Sequence, residues 1–263
     1  MSDGRLKGKV AFVAGGSSGI NLGIALGMAE AGAKVGLISR SPEKIEAAAQ
    51  GLRDAGHDAI GIAADVRDYA AVDAALATTV ETYGPIDIVI SGAAGNFLAP
   101  AKTLSANGFK TVVDIDLLGT FNVFRASHPY LVKPGASLIA ITAAQAVKPI
   151  RDQIHACAAK AGVNMVTKCL AMEWGAEGIR VNAIAPGPIA DTEGVRRLMP
   201  EGDALADYTA GIPLGRFGEK RDIAELSIFL STPAASYITG AIIDCDGGSI
   251  LTGNGGAQRD RPA

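Results

Sequence analysis

Residues 10–40 read VAFVAGGSSGINLGIALGMAEAGAKVGLISR, and this stretch determines the fold that we expect for the whole chain. The apolar run from Val10 to Ala14 is too short for a helix and typical of a buried strand, and apolar residues at helical spacing follow it through Ala31. A second buried run covers residues 34–39. Two strands joined by a helical crossover of this length run parallel. The stretch therefore predicts a strand–helix–strand unit.

The turn after the first strand is rich in glycine. Glycines 15, 16 and 19 remove side chains where backbone N–H groups and the positive end of a helix can meet a pyrophosphate. A purely structural turn is the alternative, because such a turn alone is a weak signal. Arg40 ends the second strand, where NAD-binding proteins carry an acidic residue. A guanidinium pairs bidentately with phosphate, so the sequence predicts NADP(H) binding, unless Arg40 is only a solvated surface residue.

The composition favours one α/β domain that binds a small molecule. The chain has 263 residues, of which 48% are hydrophobic and 33 are glycine, which favours buried strands joined by tight turns over disorder. The 24 basic and 27 acidic residues give a net charge of −3, so no basic surface predicts nucleic acid or an anionic membrane as partner. Neither a signal-peptide core nor a bilayer-length apolar run is apparent.

The cysteines and the two chain ends predict a cytoplasmic protein. Cys157, Cys169 and Cys245 are odd in number and lack the spacing of a metal site, so we expect buried reduced thiols and no metal. Residues 253–263 are polar and glycine-rich, which is typical of a loose tail, and they lack a Ser-Lys-Leu-like peroxisomal address.

Strand-like runs and helix-like patterns alternate along the rest of the chain. Strands are predicted at 59–64, 86–90, 137–142, 180–185 and 241–245, and helices at 42–55, 68–82, 105–130, 154–174 and 221–230. Strict alternation predicts a single doubly wound Rossmann domain, residues 1–263, with a parallel sheet of about seven strands. Residues 186–213 show weak periodicity and are expected to be the mobile region over the site.

In such a sheet, ligands bind past the carboxyl ends of the strands where the strand order reverses. The turns at that edge resemble the motifs of the short-chain dehydrogenase/reductases over nearly the whole chain. The family's Thr-Gly-x-x-x-Gly-Ile-Gly, Asp-Val, Asn-Asn-Ala-Gly and Pro-Gly appear here as Ala14-Gly15-x-x-x-Gly19-Ile20-Asn21, Asp65-Val66, 91–95 (SGAAG) and Pro186-Gly187. The resemblance implies that Asp65-Val66 meets the adenine and Pro186-Gly187 the nicotinamide, and that the protein forms a homo-oligomer, by family habit a tetramer.

Together, the turns and the resemblance predict the cofactor-binding residues: Gly15, Ser17, Ser18, Gly19, Ile20, Arg40, Asp65, Val66, Gly92, Lys160, Pro186, Gly187 and Ile189. The resemblance assigns the nicotinamide ribose to Lys160.

The expected catalytic residues depart from the usual family pattern. The family's Tyr-x-x-x-Lys appears with Ala156 four residues before Lys160, and with His155 before that alanine. Thr142 or Ala143 takes the place of the usual Ser, and Asp116 the place of a helical Asn. Ordinary alcohol–ketone chemistry therefore lacks its usual acid.

One branch of the family, the peroxisomal-type 2,4-dienoyl-CoA reductases, resembles this chain in further segments: Ala93 to Leu98, Asp114-Ile115-Asp116, Gly119-Thr120-Phe121, His155-Ala156, Glu173-Trp174-Gly175, Ala185 to Ile189, Thr192-Glu193-Gly194 and Asp246-Gly247-Gly248. The resemblance implies hydride transfer from NADPH to the far carbon of a conjugated dienoyl thioester. It also implies that Asp116 and Asp246 hold a water that protonates the resulting dienolate on carbon. Alternatively, Asp116 is a helix residue bonded to the backbone and Asp246 forms a turn.

Each of the remaining candidate site residues has two interpretations. Next to the Lys160 cation, His155 is expected to have a lowered pKa and to act as a neutral hydrogen-bond donor, unless it is a packed structural residue. Asn96 and Phe97 are candidates for the acyl site, and a position in the core is an equal alternative for Phe97. The pair Arg196-Arg197 is a candidate for the CoA phosphates, although a solvated pair is favoured.

Two other functions stay open. One is a ketone reductase or alcohol dehydrogenase that uses Thr142, His155 and Lys160. The other is an NADP(H)-binding protein without turnover.

Overall fold

A seven-stranded parallel sheet forms the centre of the protein, as seen in a computed structural model that describes residues 4–198 and 203–252. Its strands are β1 (Val10–Ala14), β2 (Lys34–Ser39), β3 (Ala59–Ala63), β4 (Ile88–Ser91), β5 (Ser137–Ile141), β6 (Arg180–Pro186) and β7 (Ile242–Cys245). The spatial order is β3-β2-β1-β4-β5-β6-β7, and every neighbouring pair is parallel. The predicted doubly wound fold is confirmed, and its strand order reverses between β1 and β4.

Helices cover both faces of this sheet. They are α1 (Gly19–Glu30), α2 (Pro42–Asp54), α3 (Tyr69–Tyr83), α4 (Ala106–Val113), α5 (Gly119–Ser127), α6 (Ile154–Trp174), α7 (Glu193–Leu198), α8 (Asp203–Ala210) and α9 (Lys220–Leu230). Side-chain hydrogen bonds cap the N-termini of two predicted helices: Ser41 accepts from Lys44 N before α2, and Asp68 accepts from Ala71 N before α3.

The core has one layer on each face of the sheet. Successive strand residues point to opposite faces, so Phe12 packs in one layer and Val13 in the other. Phe124 and Trp174 belong to the Phe12 layer, whereas Ile24 belongs to the Val13 layer. Burial on both faces explains why the strands read as continuous apolar runs.

One helical prediction needs correction. The helix predicted at 105–130 is divided, because a π-helical turn, Asp114–Leu118, separates α4 from α5 and a 3₁₀ turn, His128–Tyr130, follows. The Thr120 hydroxyl donates to the Asp116 carbonyl at 2.7 Å within this irregular segment, an interaction that apolar periodicity does not reveal. The weakly periodic residues 186–213 contain α7 and α8, which are too short for a clear periodic signal. The tail predicted at 253–263 lies outside the described residues.

The cysteines are less buried than expected. All three are free thiols, but Cys169 is exposed and the other two are only half-buried, so the prediction of buried thiols is wrong. Apolar spacing on a helix does not show which of its faces meets the core. Within the described ranges, no helix combines the length and the apolar character needed to cross a membrane.

Candidate active site

A cavity of about 1110 Å³ opens at the carboxyl edge of the sheet, where the strand order reverses. The turns after β1, β4, β5 and β6 all contribute to its wall. Every residue of the predicted cofactor set lines it, from Gly15 in the first turn to Ile189 after β6. Of the predicted catalytic residues, Asp116 and Lys160 line it, whereas His155 and Asp246 do not.

Two turns meet closely at one side of the cavity. Gly15 has a φ of 78°, and a Cβ there would lie 2.8 Å from the Ala93 backbone, so only glycine allows this approach. Asn21, which replaces a glycine of the family motif, donates from Nδ2 to the Gly92 carbonyl at 2.7 Å. The departure at Asn21 therefore adds a hydrogen bond between the start of α1 and the turn after β4.

The end of β2 presents cationic groups to the cavity. Arg40 is exposed, lines the cavity together with Lys44, and makes no hydrogen bond or ion pair with any residue that the structure describes. Glu43 does not line the cavity, and it accepts a hydrogen bond from Ser41 at 2.9 Å. An unpaired guanidinium beside a lysine fits a phosphate monoester on a ribose.

Asp65 follows β3 on the same side of the cavity. Arg67 donates to both of its carboxylate oxygens, at 3.0 and 2.6 Å. These hydrogen bonds hold the pKa of Asp65 below its ordinary value. Asp65 therefore presents a fixed anionic group where the resemblance implies contact with adenine.

Asp116 and Lys160 form an almost fully buried ion pair in the cavity wall. Asp116 is 1% exposed and Lys160 is 8% exposed. Asp116 Oδ2 lies 3.2 Å from Lys160 Nζ, and Asp116 Oδ1 accepts from Gly95 N at 2.8 Å. Lys160 Nζ also donates to the Ile141 carbonyl at 3.0 Å. An ammonium has three donors and a carboxylate about four acceptor positions, so both groups keep capacity for a ligand or a water.

His155 lies behind this wall. It is fully buried, its ring stacks at a tilt against Phe97 with centroids 4.5 Å apart, and neither ring nitrogen has a hydrogen-bond partner among the described residues. The predicted lowering of its pKa is confirmed, but the cause is different: burial lowers it, while the nearby Phe97 backbone and the Asp116 charge act against burial. The expectation that Lys160 causes the shift is not supported.

Asp246 accepts hydrogen bonds from its own loop. Its Oδ1 accepts from Gly248 N at 2.8 Å, and its Oδ2 accepts from Ser249 Oγ at 3.0 Å and Ile250 N at 2.7 Å. Ser249 and Ile250 line the cavity. The charge of Asp246 also helps to raise the pKa of Tyr208, another cavity residue whose pKa is raised chiefly by burial. Asp246 thus forms the predicted turn, directly beside the cavity wall.

Several cavity residues have no signal in the sequence. Gln145, Gln153 and Tyr208 line the wall, and Leu98 does so rather than the predicted Phe97. Asn96 lines it as predicted. No local motif marks these residues, because only folding brings the turn after β4, the turn after β5 and the start of α6 together. Arg197 also lines the cavity and pairs with Glu193 at 2.5 Å.

Comparisons with known proteins agree on the class of protein. A family model described as enoyl-(acyl carrier protein) reductase matches residues 14–249. A Danio rerio protein named peroxisomal 2,4-dienoyl-CoA reductase, (3E)-enoyl-CoA-producing, is 42% identical over 256 residues, or 97% of this chain and 85% of the relative. A Saccharomyces cerevisiae protein of the same description is 43% identical, covering 92% of this chain and 84% of the relative. A solved short chain dehydrogenase from Bacillus anthracis is 38% identical with a TM-score of 0.82, covering 93% and 97% of the two chains.

These relatives correct one prediction. The expected cytoplasmic location is wrong, because relatives from fish, mammals, yeast and plants at 40 to 44% identity are named peroxisomal. The prediction rested on the thiols and on the two chain ends.

Proposed function

Because the chain belongs to the short-chain dehydrogenase/reductase family of oxidoreductases, we propose that it reduces conjugated enoyl- or dienoyl-CoA thioesters with NADPH, as a 2,4-dienoyl-CoA reductase. The names of the relatives support the substrate class. The observation that carries the proposal is the buried Asp116–Lys160 pair in the cavity wall, together with Ala156, which stands in place of a phenol on the helix of Lys160.

The cavity has groups that fit three parts of NADPH. In the glycine turn, Gly15 N and Gly16 N donate to the Ile38 carbonyl, which leaves the N–H groups of residues 17–19 for the pyrophosphate. Arg40 and Lys44 offer cations for the ribose phosphate, and Lys160 keeps one N–H donor for the nicotinamide ribose. When bound, NADPH supplies a hydride, which is an electron pair with one proton. The Arg40 guanidinium, which has no hydrogen-bond or ion-pair partner among the described residues, is the reason to propose NADPH over NADH.

Asp116 supports the proton half of the reaction. Hydride addition to the far carbon of a dienoyl thioester leaves a dienolate, and one proton on carbon then completes the reduction. Asp116 keeps two acceptor positions that can hold a water against the cavity, and Lys160 supplies positive charge beside it. Asp246 does not line the cavity, but Ser249 and Ile250, which donate to it, do, and one of its acceptor positions is left; the family resemblance is the support for a second contact from Asp246 to this water. The water gives its proton to carbon and is reprotonated from solvent.

The ketone-reductase alternative receives less support from the cavity. It needs His155 as an acid, and His155 does not line the cavity and has a lowered pKa. Thr142 lines the wall, but its hydroxyl lies 3.5 Å from the Lys160 carbonyl, toward α6.

A single assay tests the proposal. The purified protein with NADPH is given a trans-2,trans-4-dienoyl-CoA and, separately, a 3-oxoacyl-CoA, and the nicotinamide absorbance is followed. We expect loss of absorbance with the dienoyl thioester alone. Loss with the 3-oxoacyl thioester alone would support ketone reduction instead. No loss with either, despite tight NADPH binding, would support a protein without turnover.

A further inference from the structure

Three side-chain amides from separate parts of the chain meet in the cavity wall. Asn96 follows β4, Gln145 follows β5, and Gln153 immediately precedes α6. Gln153 Oε1 accepts from Asn96 Nδ2 at 2.7 Å and from Gln145 Nε2 at 3.1 Å. Gln153 is only 6% exposed, so the central amide of this cluster is almost fully buried.

These contacts determine which end of the Gln153 amide faces the cavity. Both acceptor positions of Oε1 are in use, whereas Nε2 donates to no residue in the described ranges. If the Gln153 amide were rotated by 180°, the Asn96 amide would have to rotate as well to keep the hydrogen bond. The Asn96 amino group would then lie where Asn96 Oδ1 is now buried without a partner among the described residues. A buried amino group loses two donors there, whereas a buried carbonyl loses only acceptor capacity. The observed orientation, with Gln153 Nε2 available to a ligand, is therefore the more stable one.

The backbone around Gln153 keeps the amide in place. The preceding residue, Asp152, has a φ of 62°, in the left-handed region that residues other than glycine rarely adopt. The Asp152 carbonyl accepts from Ala99 N at 2.9 Å, which ties this turn to the segment after Asn96. Two hydrogen bonds to the side chain and one to the adjacent backbone thus fix the direction of the amide.

Gln153 lies on the same face of α6 as the proposed reaction site. Gln153, Ala156 and Lys160 are spaced by three and four residues, and all three line the cavity. Ala156 has no donor, and Lys160 already contacts Asp116 and the Ile141 carbonyl. Gly95, which donates to Asp116, is next to Asn96, which donates to Gln153, so the amide cluster adjoins the ion pair. On this part of the wall, Gln153 therefore supplies a neutral donor that no described residue uses.

From this arrangement, we propose that Gln153 Nε2 donates a hydrogen bond to the thioester carbonyl oxygen of the substrate. The inference rests on the proposed thioester reduction. Hydride addition moves electron density onto this oxygen, so a fixed donor stabilises the dienolate more than the ground-state carbonyl. A carboxamide is suited to this role because it donates a hydrogen bond without giving up its proton, so protonation occurs on carbon.

Two substitutions test the donor. Gln153→Glu keeps an acceptor for Asn96 and Gln145 but removes both N–H donors, and Gln153→Met removes the donors without adding a charge near Asp116. We expect either variant to lose about 10²-fold or more in kcat with dienoyl-CoA, as for other oxyanion donors. NADPH affinity should change by less than about twofold, because Gln153 is not one of the residues proposed to bind the cofactor. The matched control is Gln50→Glu, because Gln50 is an exposed residue of α2 outside the cavity. This variant should keep the wild-type kcat.

A binding comparison isolates the carbonyl contact from any general damage to the site. A saturated acyl-CoA thioester and the corresponding alkyl-CoA thioether, which lacks the carbonyl oxygen, are titrated into the NADP-loaded protein by calorimetry. The wild-type protein should prefer the thioester, and both Gln153 variants should lose that preference while binding the thioether as well as wild type does. This readout stays informative if one variant folds poorly, since the other carries the same prediction.

The outcomes separate this inference from the proposed function. If the wild-type protein does not reduce dienoyl-CoA, the proposed function fails. If it does, but both variants keep kcat within about threefold and retain the preference for the thioester, the role of Gln153 is wrong and the proposed function stands.

Discussion

The two halves of the cavity are built in different ways. In the half that we propose for the cofactor, called the cofactor half, the residues at the ends of β1, β2 and β3 belong to short continuous motifs, such as the glycine turn and Arg40. In the half that we propose for the substrate, called the substrate half, the proposed reactive groups are far apart in the chain: Asp116 pairs with Lys160, and Gln153 accepts from Asn96 and Gln145. Groups for binding can thus be local, whereas the reactive groups depend on contacts between several elements.

The largest expected effect is in the substrate half. Asp116→Asn keeps the acceptor for Gly95 N but replaces the oxygen beside Lys160 with an amino group and removes the negative charge. The variant therefore loses acceptor positions for the water that we propose as the proton donor. We expect kcat with dienoyl-CoA to fall by about 10²- to 10⁴-fold. NADPH affinity, measured by fluorescence titration, should stay within about threefold of wild type, because Lys160 keeps its contact to Ile141.

Asp114→Asn is the matched control, since Asp114 lies in the same π-helical turn but pairs with Lys110 on the surface. It should leave kcat unchanged, because exposed ion pairs contribute little. Full activity of Asp116→Asn would contradict the proposed proton relay.

The cofactor half is tested by Arg40→Ala. Loss of a guanidinium that meets a phosphate should weaken NADPH binding by about 10- to 100-fold, from the usual strength of charged hydrogen bonds. NADH, which lacks that phosphate, should bind within about twofold of wild type. The control Arg221→Ala removes an exposed arginine of α9 that is not part of the cavity. Equal weakening of both cofactors would show that Arg40 does not select the phosphate.

The buried His155 leads to a prediction of how the free energy of unfolding changes in acid. Its pKa is lowered in the folded protein from 6.5, so below that pH the unfolded chain takes up a proton that the folded chain excludes. The free energy of unfolding should therefore be fully retained above pH 6.5 and fall as the pH drops below it. The slope from one such group is at most about 1.4 kcal/mol per pH unit.

In His155→Phe, which keeps a ring against Phe97, urea unfolding on both sides of pH 6.5 should show a weaker loss of stability in acid. His57→Gln, at a half-buried position before β3, should keep the wild-type slope. An unchanged slope in His155→Phe would place the acid sensitivity elsewhere.

The smallest expected effect concerns the link between the two halves. Asn21→Ala removes the hydrogen bond to the Gly92 carbonyl and should lower the free energy of unfolding by about 1 kcal/mol. Urea unfolding measures this loss, and Asn107→Ala at an exposed site of α4 serves as the control. A variant as stable as wild type would mean that the better helix propensity of alanine offsets the lost bond.

The cofactor half was predictable because its signals are local. Strand and helix periodicities and the glycine turn each lie within a few residues, and every predicted cofactor residue lines the cavity. The substrate half was predictable only in part. Asp116 and Lys160 were named from a family resemblance, but their pairing was not, and the burial of His155 behind Phe97 could not be read from its neighbours in the chain.

The sequence by itself therefore determined the parallel sheet, its helices and the nucleotide-binding edge, because periodicity and turn chemistry are properties of neighbouring residues. The tertiary structure alone decided that Asp116 meets Lys160, that Asp246 accepts from its own loop, and that Gln153 accepts from Asn96. These outcomes depend on which hydrogen-bonding groups distant segments bring within about 3 Å of each other. No local pattern encodes that distance.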